Sequence, residues 1–191
     1  MRTKILFLIL FAPIVTSGQL IDELPKDENG NLNFNEVIQI DNTKKDELYI
    51  RSKQFFVDTF KSANDVIQMD DKEAGVVIGK GYNDIYIKIM GVNNAVQMWY
   101  TIKIQSKEGR YKYEIYDIYF KIYPSQYGGS TEATTIRAEE TFDRKKYYKK
   151  NGDPKDIPEK YKIETVNKVN SLVKDIKVTM MKVSSTNKSD W

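Results

Sequence analysis

The fold turns on residues 98–123, MWYTIKIQSKEGRYKYEIYDIYFKIY. Apolar and polar residues alternate from Met98 to Ser106, and tyrosines stand at alternate positions at the start of Arg110–Tyr123, at Tyr111 and Tyr113. A period of two marks a half-buried strand, and the short glycine-bearing break Lys107-Glu108-Gly109 marks a hairpin between two of them. Read straight through, the second strand sends Tyr111, Tyr113, Ile115, Asp117, Tyr119, Lys121 and Tyr123 to one side and Tyr116, Ile118, Phe120 and Ile122 to the other. The second set is expected in the core with Ile85, Ile87, Ile89, Ile102 and Ile104. The first set is expected on an open face beside Trp99, Thr101, Lys103 and Gln105.

The same periodicity extends upstream. Val66–Asp70, Ala74–Lys80 and Ile85–Met90 read as further strands. Before them lies a stretch with period 3.6, in which Leu48, Tyr49, Ser52, Phe55, Phe56, Thr59 and Phe60 share one face. It predicts a helix to about Lys61, started by an N-cap at Asp41 or Thr43, with Thr43 and Asp46 in a capping-box arrangement. Glu36–Ile40 alternates as a short first strand. Residues 124–157 are loop-rich, with Glu139–Lys150 open to either a short helix or an edge strand. Pro158 then opens a last helix carrying a stripe of Ile163, Val166, Val169, Val173, Ile176 and Met180. The order β-α-β-β-β-β-β-α, with each helix apolar on one side only, predicts an α+β domain: a curved antiparallel sheet with two helices packed on one face.

The amino terminus carries an address. Arg2 and Lys4 precede an unbroken apolar run from Ile5 to Val15, and Thr16, Ser17 and Gly18 supply small residues for cleavage. This is the layout of a secretory signal peptide, and the run is far short of the roughly 20 residues that span a bilayer. With residues 1–18 removed, Lys+Arg falls from 30 to 28 against 27 Asp+Glu, so the net charge of +3 becomes +1. A near-neutral chain has no general field to gather polyanions. The remaining organisation is a polar extended leader over 19–35, one domain over 36–183 and a disordered tail over 184–191.

Composition removes whole classes of chemistry. The chain has no cysteine and no histidine. Disulfides, a lipoprotein anchor, Ser-His-Asp and Cys-His nucleophiles, and zinc sites built on those ligands are thereby excluded. Asp27, Asn29, Asn31 and Asn33 resemble a calcium loop, but Gly30 falls at the wrong position and the closing glutamate is absent. Gly75, Gly79 and Gly81 lack the spacing of a phosphate loop and suit bulges or close backbone approach instead. Asp70, Asp71 and Glu73 offer carboxylates for acid–base work or a cation, at a turn where Asp is common anyway. No cofactor, metal site or catalytic residue is therefore expected. Two surfaces stand out. Trp99, Tyr111, Tyr113, Tyr119 and Tyr123 form an aromatic set with polar tips, suited to contacts or to cross-strand pairing. Arg144, Lys145, Lys146, Lys149 and Lys150 form a basic patch around Tyr147 and Tyr148, diluted by Glu139, Glu140, Asp143 and Asp153.

Several local segments together resemble a known family: Gly30–Glu36 running into EVIQI, Lys45-Asp-Glu-Leu-Tyr-Ile-Arg51, the glycine-spaced 75–81, and Lys107 to Ile118. They are similar, over about residues 25–180, to the secreted bacterial domain-of-unknown-function family 4468, whose fold resembles half of the TATA-box-binding protein (TBP-like). Phe55-Phe56 stands where that family suggests a tryptophan, and a lysine- and tyrosine-rich insert follows Tyr123. The resemblance implies a fold and an envelope address, and no activity. An exported chain of this shape is expected to meet no nucleic acid. The reading is a non-enzymatic binding module, periplasmic or extracellular, contacting a protein or an envelope glycan. The alternatives are a carrier of an apolar ligand between sheet and last helix, and a hydrolase built on carboxylates.

Overall fold

The computed structural model of the chain describes residues 24–60, 62–124 and 132–182. The signal reading, the first leader residues and the tail reading of 184–191 lie outside the described residues.

In chain order the elements are β1 (Asn33–Gln39), α1 (Lys45–Thr59), α2 (Ala63–Val66), β2 (Ile67–Asp71), β3 (Val76–Ile89), β4 (Val92–Lys107), β5 (Arg110–Ile122), β6 (Thr134–Arg137), α3 (Ala138–Thr141), α4 (Arg144–Tyr147) and α5 (Asp156–Met181). The strands form one antiparallel sheet of order β1-β5-β4-β3-β2, with β6 also pairing β5. The two long helices pack against β3 and β4 and against each other. The α+β class and the helices on one face are as the sequence predicts. Several strand boundaries differ, and β4 begins at Val92 rather than Met98. The expected strands 74–80 and 85–90 are one continuous β3, while β6 is a four-residue strand that no local pattern announces.

The sheet begins earlier than expected, at Asn33. Leu24, Leu32 and Phe34, from the stretch read as a leader, are buried in the core. The turn that delivers them is held by Asp27, whose carboxylate accepts from the backbone of Asn29 and Asn31 at 2.9 Å each. The bond from Asn31 leads in holding that carboxyl below its ordinary value. Between β3 and β4, Met90 (φ 49°) and Gly91 (φ 85°) make a two-residue turn of the kind that needs two left-handed residues.

α1 buries Leu48, Tyr49, Ser52, Phe55 and Phe56, as its pattern predicts. Its cap is a correction. Neither Asp41 nor Thr43 caps it; the Glu108 carboxylate, in the β4–β5 turn, accepts from the Lys45 N–H at 3.0 Å. Arg51, buried on the same helix, pairs with Glu47 and donates from Nη1 to the Met180 carbonyl at 2.6 Å, tying α1 to the last turn of α5. Gly79 and Gly81 let the helix sit close. A Cβ at Gly79 would overlap the Phe56 ring, and one at Gly81 would lie 2.5 Å from Phe60. Close approach thus accounts for all three glycines, since a Cβ at Gly75 would lie 2.6 Å from the Ser106 carbonyl oxygen. α5 buries Val166, Val169, Ile176 and Met180 as expected, but Tyr161, Thr165, Leu172 and Thr179 replace Ile163 and Val173 at the centre of its stripe.

Candidate functional site

The helix-free face of the sheet is decided by one residue. In β5, Tyr111, Tyr113 and Ile115 point into the core, yet so do Ile118 and Phe120. The two sets differ in parity because the ladder slips. Trp99 pairs with Tyr119 and Thr101 with Tyr116, so two residues of β5 stand opposite Tyr100 alone. Asp117 is the extra residue, at φ 52°. A bulge of this kind turns the strand and exchanges its faces, and Asp is among the few side chains that tolerate the left-handed region.

This corrects two of the five residues of the expected aromatic surface. Tyr111 is 1% exposed and Tyr113 5% exposed, and both lie under the helices. Burial first, then the Glu36 charge, pushes both hydroxyls well above the ordinary tyrosine range. Tyr113 donates to Glu36 Oε2 at 3.0 Å, and that carboxylate also meets Lys177 of α5 at 2.8 Å. The Tyr111 hydroxyl is buried with no partner. Trp99, Tyr119 and Tyr123 do lie on the helix-free side. The sequence carried a signal for the switch: Ile115 and Ile118 are three apart, which a straight strand with one buried face does not permit.

The surface that results runs across four strands. Tyr82, Trp99, Tyr119 and Arg137 are register partners on β3, β4, β5 and β6. The Tyr82 and Trp99 rings are 4.7 Å apart, and Trp99 and Tyr119 are 6.0 Å apart with planes 5° from parallel. Lys80 reaches over Tyr119, its ammonium 5.1 Å from the ring centre, and pairs with Asp117 at 3.1 Å. Arg137 meets the same carboxylate at 3.1 Å. On the other flank Gln97 Oε1 accepts from Trp99 Nε1 at 3.1 Å and from the Tyr123 hydroxyl at 3.3 Å. Along the row toward the β4–β5 turn, Glu114 accepts from Lys112 and Lys103. Burial works against its charge, but these two contacts outweigh it and hold the carboxyl below its ordinary range. The arrangement is a row of rings flanked by paired charged and amide groups, with Tyr82 and Tyr123 about half exposed.

Residues 34–121 match the model of a domain of unknown function, DUF4468, with TBP-like fold. Over this stretch the chain is similar to the DUF4468 family. A DUF4468 protein from Bacteroides ovatus is similar in structure, with a TM-score of 0.66 and 20% identity over 83% of this chain and 91% of that one. A TBP-like protein from Parabacteroides distasonis gives a TM-score of 0.61 and 17% identity over 84% of this chain and 99% of that one. At these identities the likeness is one of fold. No curated protein matches the chain. Tyr82, Trp99 and Tyr119 fall within the DUF4468 match, whereas Arg137 and the basic segment lie beyond it.

That segment sits elsewhere on the fold. Phe142 packs edge-on against Phe120 from the core side, and Lys162 of α5 stands 6.0 Å from the Tyr147 ring. Tyr147 is buried and Tyr148 half-buried, leaving Arg144, Lys145, Lys146, Lys149 and Lys150 exposed around them on the helix side. The Asp143 side chain caps α4 by accepting from the Lys145 and Lys146 backbones. Arg144 stands over the Tyr148 ring at 5.5 Å, so the segment keeps one cation–π contact of its own but lies apart from the Tyr82–Trp99–Tyr119 row. Asp70 and Asp71 are committed to structure, and Glu73 is engaged through its backbone carbonyl, which accepts from the Lys45 ammonium at 2.9 Å. Asp70 accepts from Lys53 at 2.7 Å and from the Tyr49 hydroxyl, while Asp71 accepts from the Ala74 N–H at 2.8 Å. Among the described residues no group of three acidic side chains is placed to hold a metal ion, and no helix is long and apolar enough to cross a membrane.

Proposed function

We propose that the protein is an exported, non-enzymatic binding module of the bacterial cell envelope, contacting a protein or an envelope glycan through the helix-free face. The observation that carries this reading is the Tyr82–Trp99–Tyr119 row, three aromatic rings held in line on the side of the sheet away from the helices. Helices cover the opposite face, so an aromatic row here adds nothing to the main core. Rigid rings with polar tips give contact area at little entropic loss. The pattern of residues 1–18 supports the address. The absence of histidine and cysteine, with Asp70 and Asp71 already engaged, supports a role without turnover.

The space between sheet and α5, where an apolar ligand would lie, is filled by Phe55, Phe56, Ile102, Ile104, Ile176 and Met180, all fully buried. The face reading is therefore preferred to the carrier. The test is retention of the protein on two probes from its host, purified peptidoglycan and solubilised envelope proteins. Tyr82→Ser, Trp99→Ser and Tyr119→Ser together are expected to abolish retention while circular dichroism is preserved. Undiminished retention of a folded triple variant overturns the reading.

A further inference from the structure

β3 runs from Val76 to Ile89, but its outer neighbour β2 pairs only with Val76–Gly79. Among the described residues no strand lies against its outer side from Asn83 to Ile89. The pair Ile89–Val92 closes the two-residue turn, so the backbone of Ile89 faces β4, and by alternation that of Asp84, Tyr86 and Lys88 faces outward. The Lys88 carbonyl shows this direction, accepting from the Lys160 ammonium at 2.8 Å.

Free edges are usually blunted by charge, proline or cover. This one carries no proline from Asn83 to Ile89, and its two charges are of opposite sign. Tyr82, Asp84, Tyr86, Lys88 and Met90 project on its helix-free side, with Tyr86 60% and Met90 99% exposed. Asp84 and Lys88 make no ion pair with any described residue. The sequence of this edge is complementary to itself. Laid antiparallel about a two-fold axis at Tyr86, it sets Asp84 against Lys88 of the second copy and Lys88 against its Asp84. Tyr86 then meets Tyr86, and Tyr82 meets Met90. Every outward N–H and C=O from Asp84 to Lys88 gains a partner, and the Lys88 carbonyl has a second lone pair that leaves Lys160 in place. Centring the axis on Asp84 or on Lys88 instead sets like charges opposite each other, which is unfavourable.

We propose that the protein self-associates as a two-fold dimer through the β3 edge, with Tyr86 on the axis and one continuous sheet formed from two copies. The inference stands apart from the aromatic-row reading, since the bonds that form it are those of the strand edge.

The test is sedimentation equilibrium of the protein expressed in a bacterial host with residues 1–18 in place. The wild type is expected to dimerise. Asp84→Lys or Lys88→Asp alone creates two like-charge pairs and is expected to raise the dimer dissociation constant roughly tenfold or more. The double reversal Asp84→Lys/Lys88→Asp restores opposite charges and is expected to bring it back. Tyr86→Pro removes an outward N–H without touching the β3–β4 ladder and is expected to leave a folded monomer. A wild type that stays monomeric to its solubility limit overturns the proposal. So does a dimer indifferent to the single reversals, or one that the double reversal fails to restore.

Discussion

Asp117 holds Arg137 from the crest of a bulge: both guanidinium nitrogens donate to its Oδ1, at 3.2 and 3.1 Å, while its own backbone stands at φ 52°. One residue thus turns β5 over and anchors β6 beside it. Replacement by alanine keeps the strained backbone and loses the contacts, and is expected to destabilise by about 1–2 kcal/mol in urea unfolding. Asp117→Asn tolerates the conformation and is expected to lose less than half of that. If alanine and asparagine behave alike, the conformation contributes nothing.

The face exchange makes neighbouring tyrosines unequal. Tyr113→Ser empties a core position and is expected to cost about 3–5 kcal/mol, against less than about 1 kcal/mol for Tyr119→Ser on the helix-free side. Tyr111→Phe removes a buried hydroxyl without a partner, so it is expected to leave stability unchanged or raise it by about 1 kcal/mol. Denaturant titration of the three variants ranks them directly.

Gly79→Ala forces a methyl into the Phe56 ring. Overpacking of this kind is expected to destabilise by about 1–3 kcal/mol. Because the clash is with one side chain, adding Phe56→Leu is expected to recover part of the loss. A double-mutant cycle with no coupling between the two positions rejects the contact.

The Asp70 carboxyl is held below its ordinary value of 3.8 by Lys53 first and by the Tyr49 hydroxyl second, against burial. A lowered folded pKa means stability that is present above the unfolded value and lost as pH falls through the folded one. The melting-temperature gap between wild type and Asp70→Asn is therefore expected to hold at neutral pH and to close below about pH 4. At the alkaline end the signs reverse. The bond to Asp70, then burial, pushes Tyr49 up to about 12, and burial raises Tyr100, Tyr111 and Tyr113 further. Their folded state keeps protons that the unfolded chain gives up from about pH 10, so stability is expected to fall as pH rises beyond that point. Tyrosinate absorbance followed against unfolding checks it.

The architecture was legible because its signals are local and long. The alternation of 98–106, the aromatic face of α1 and the stripe of α5 each repeat over several turns or pleats. What failed was continuity. A period-two reading carried through Asp117 assigns Tyr111 and Tyr113 to the wrong side, since one inserted residue flips everything before it relative to everything after it. Tyr82 was missed because Gly79 and Gly81 look like a break in the strand, whereas they are thin places that admit Phe56 and Phe60. Arg137 and Lys80 join the site only through cross-strand register and a bulge-borne carboxylate, neither of which leaves a trace in local sequence. Trp99, Tyr119 and Tyr123 were placed correctly because their own parities were counted within one unbroken stretch.

The pairing of Phe34 with Ile115 has a kinetic meaning. The first strand of the sheet finds its neighbour only among residues that emerge much later, and α1 receives its capping carboxylate from Glu108. Contacts between distant parts of a chain form slowly, because closing long loops is entropically unfavourable before any bond rewards it. A nascent chain built this way stays open until most of it has been made. Late closure of this kind is compatible with threading an unfolded chain through a narrow translocation pore, which the proposed export requires.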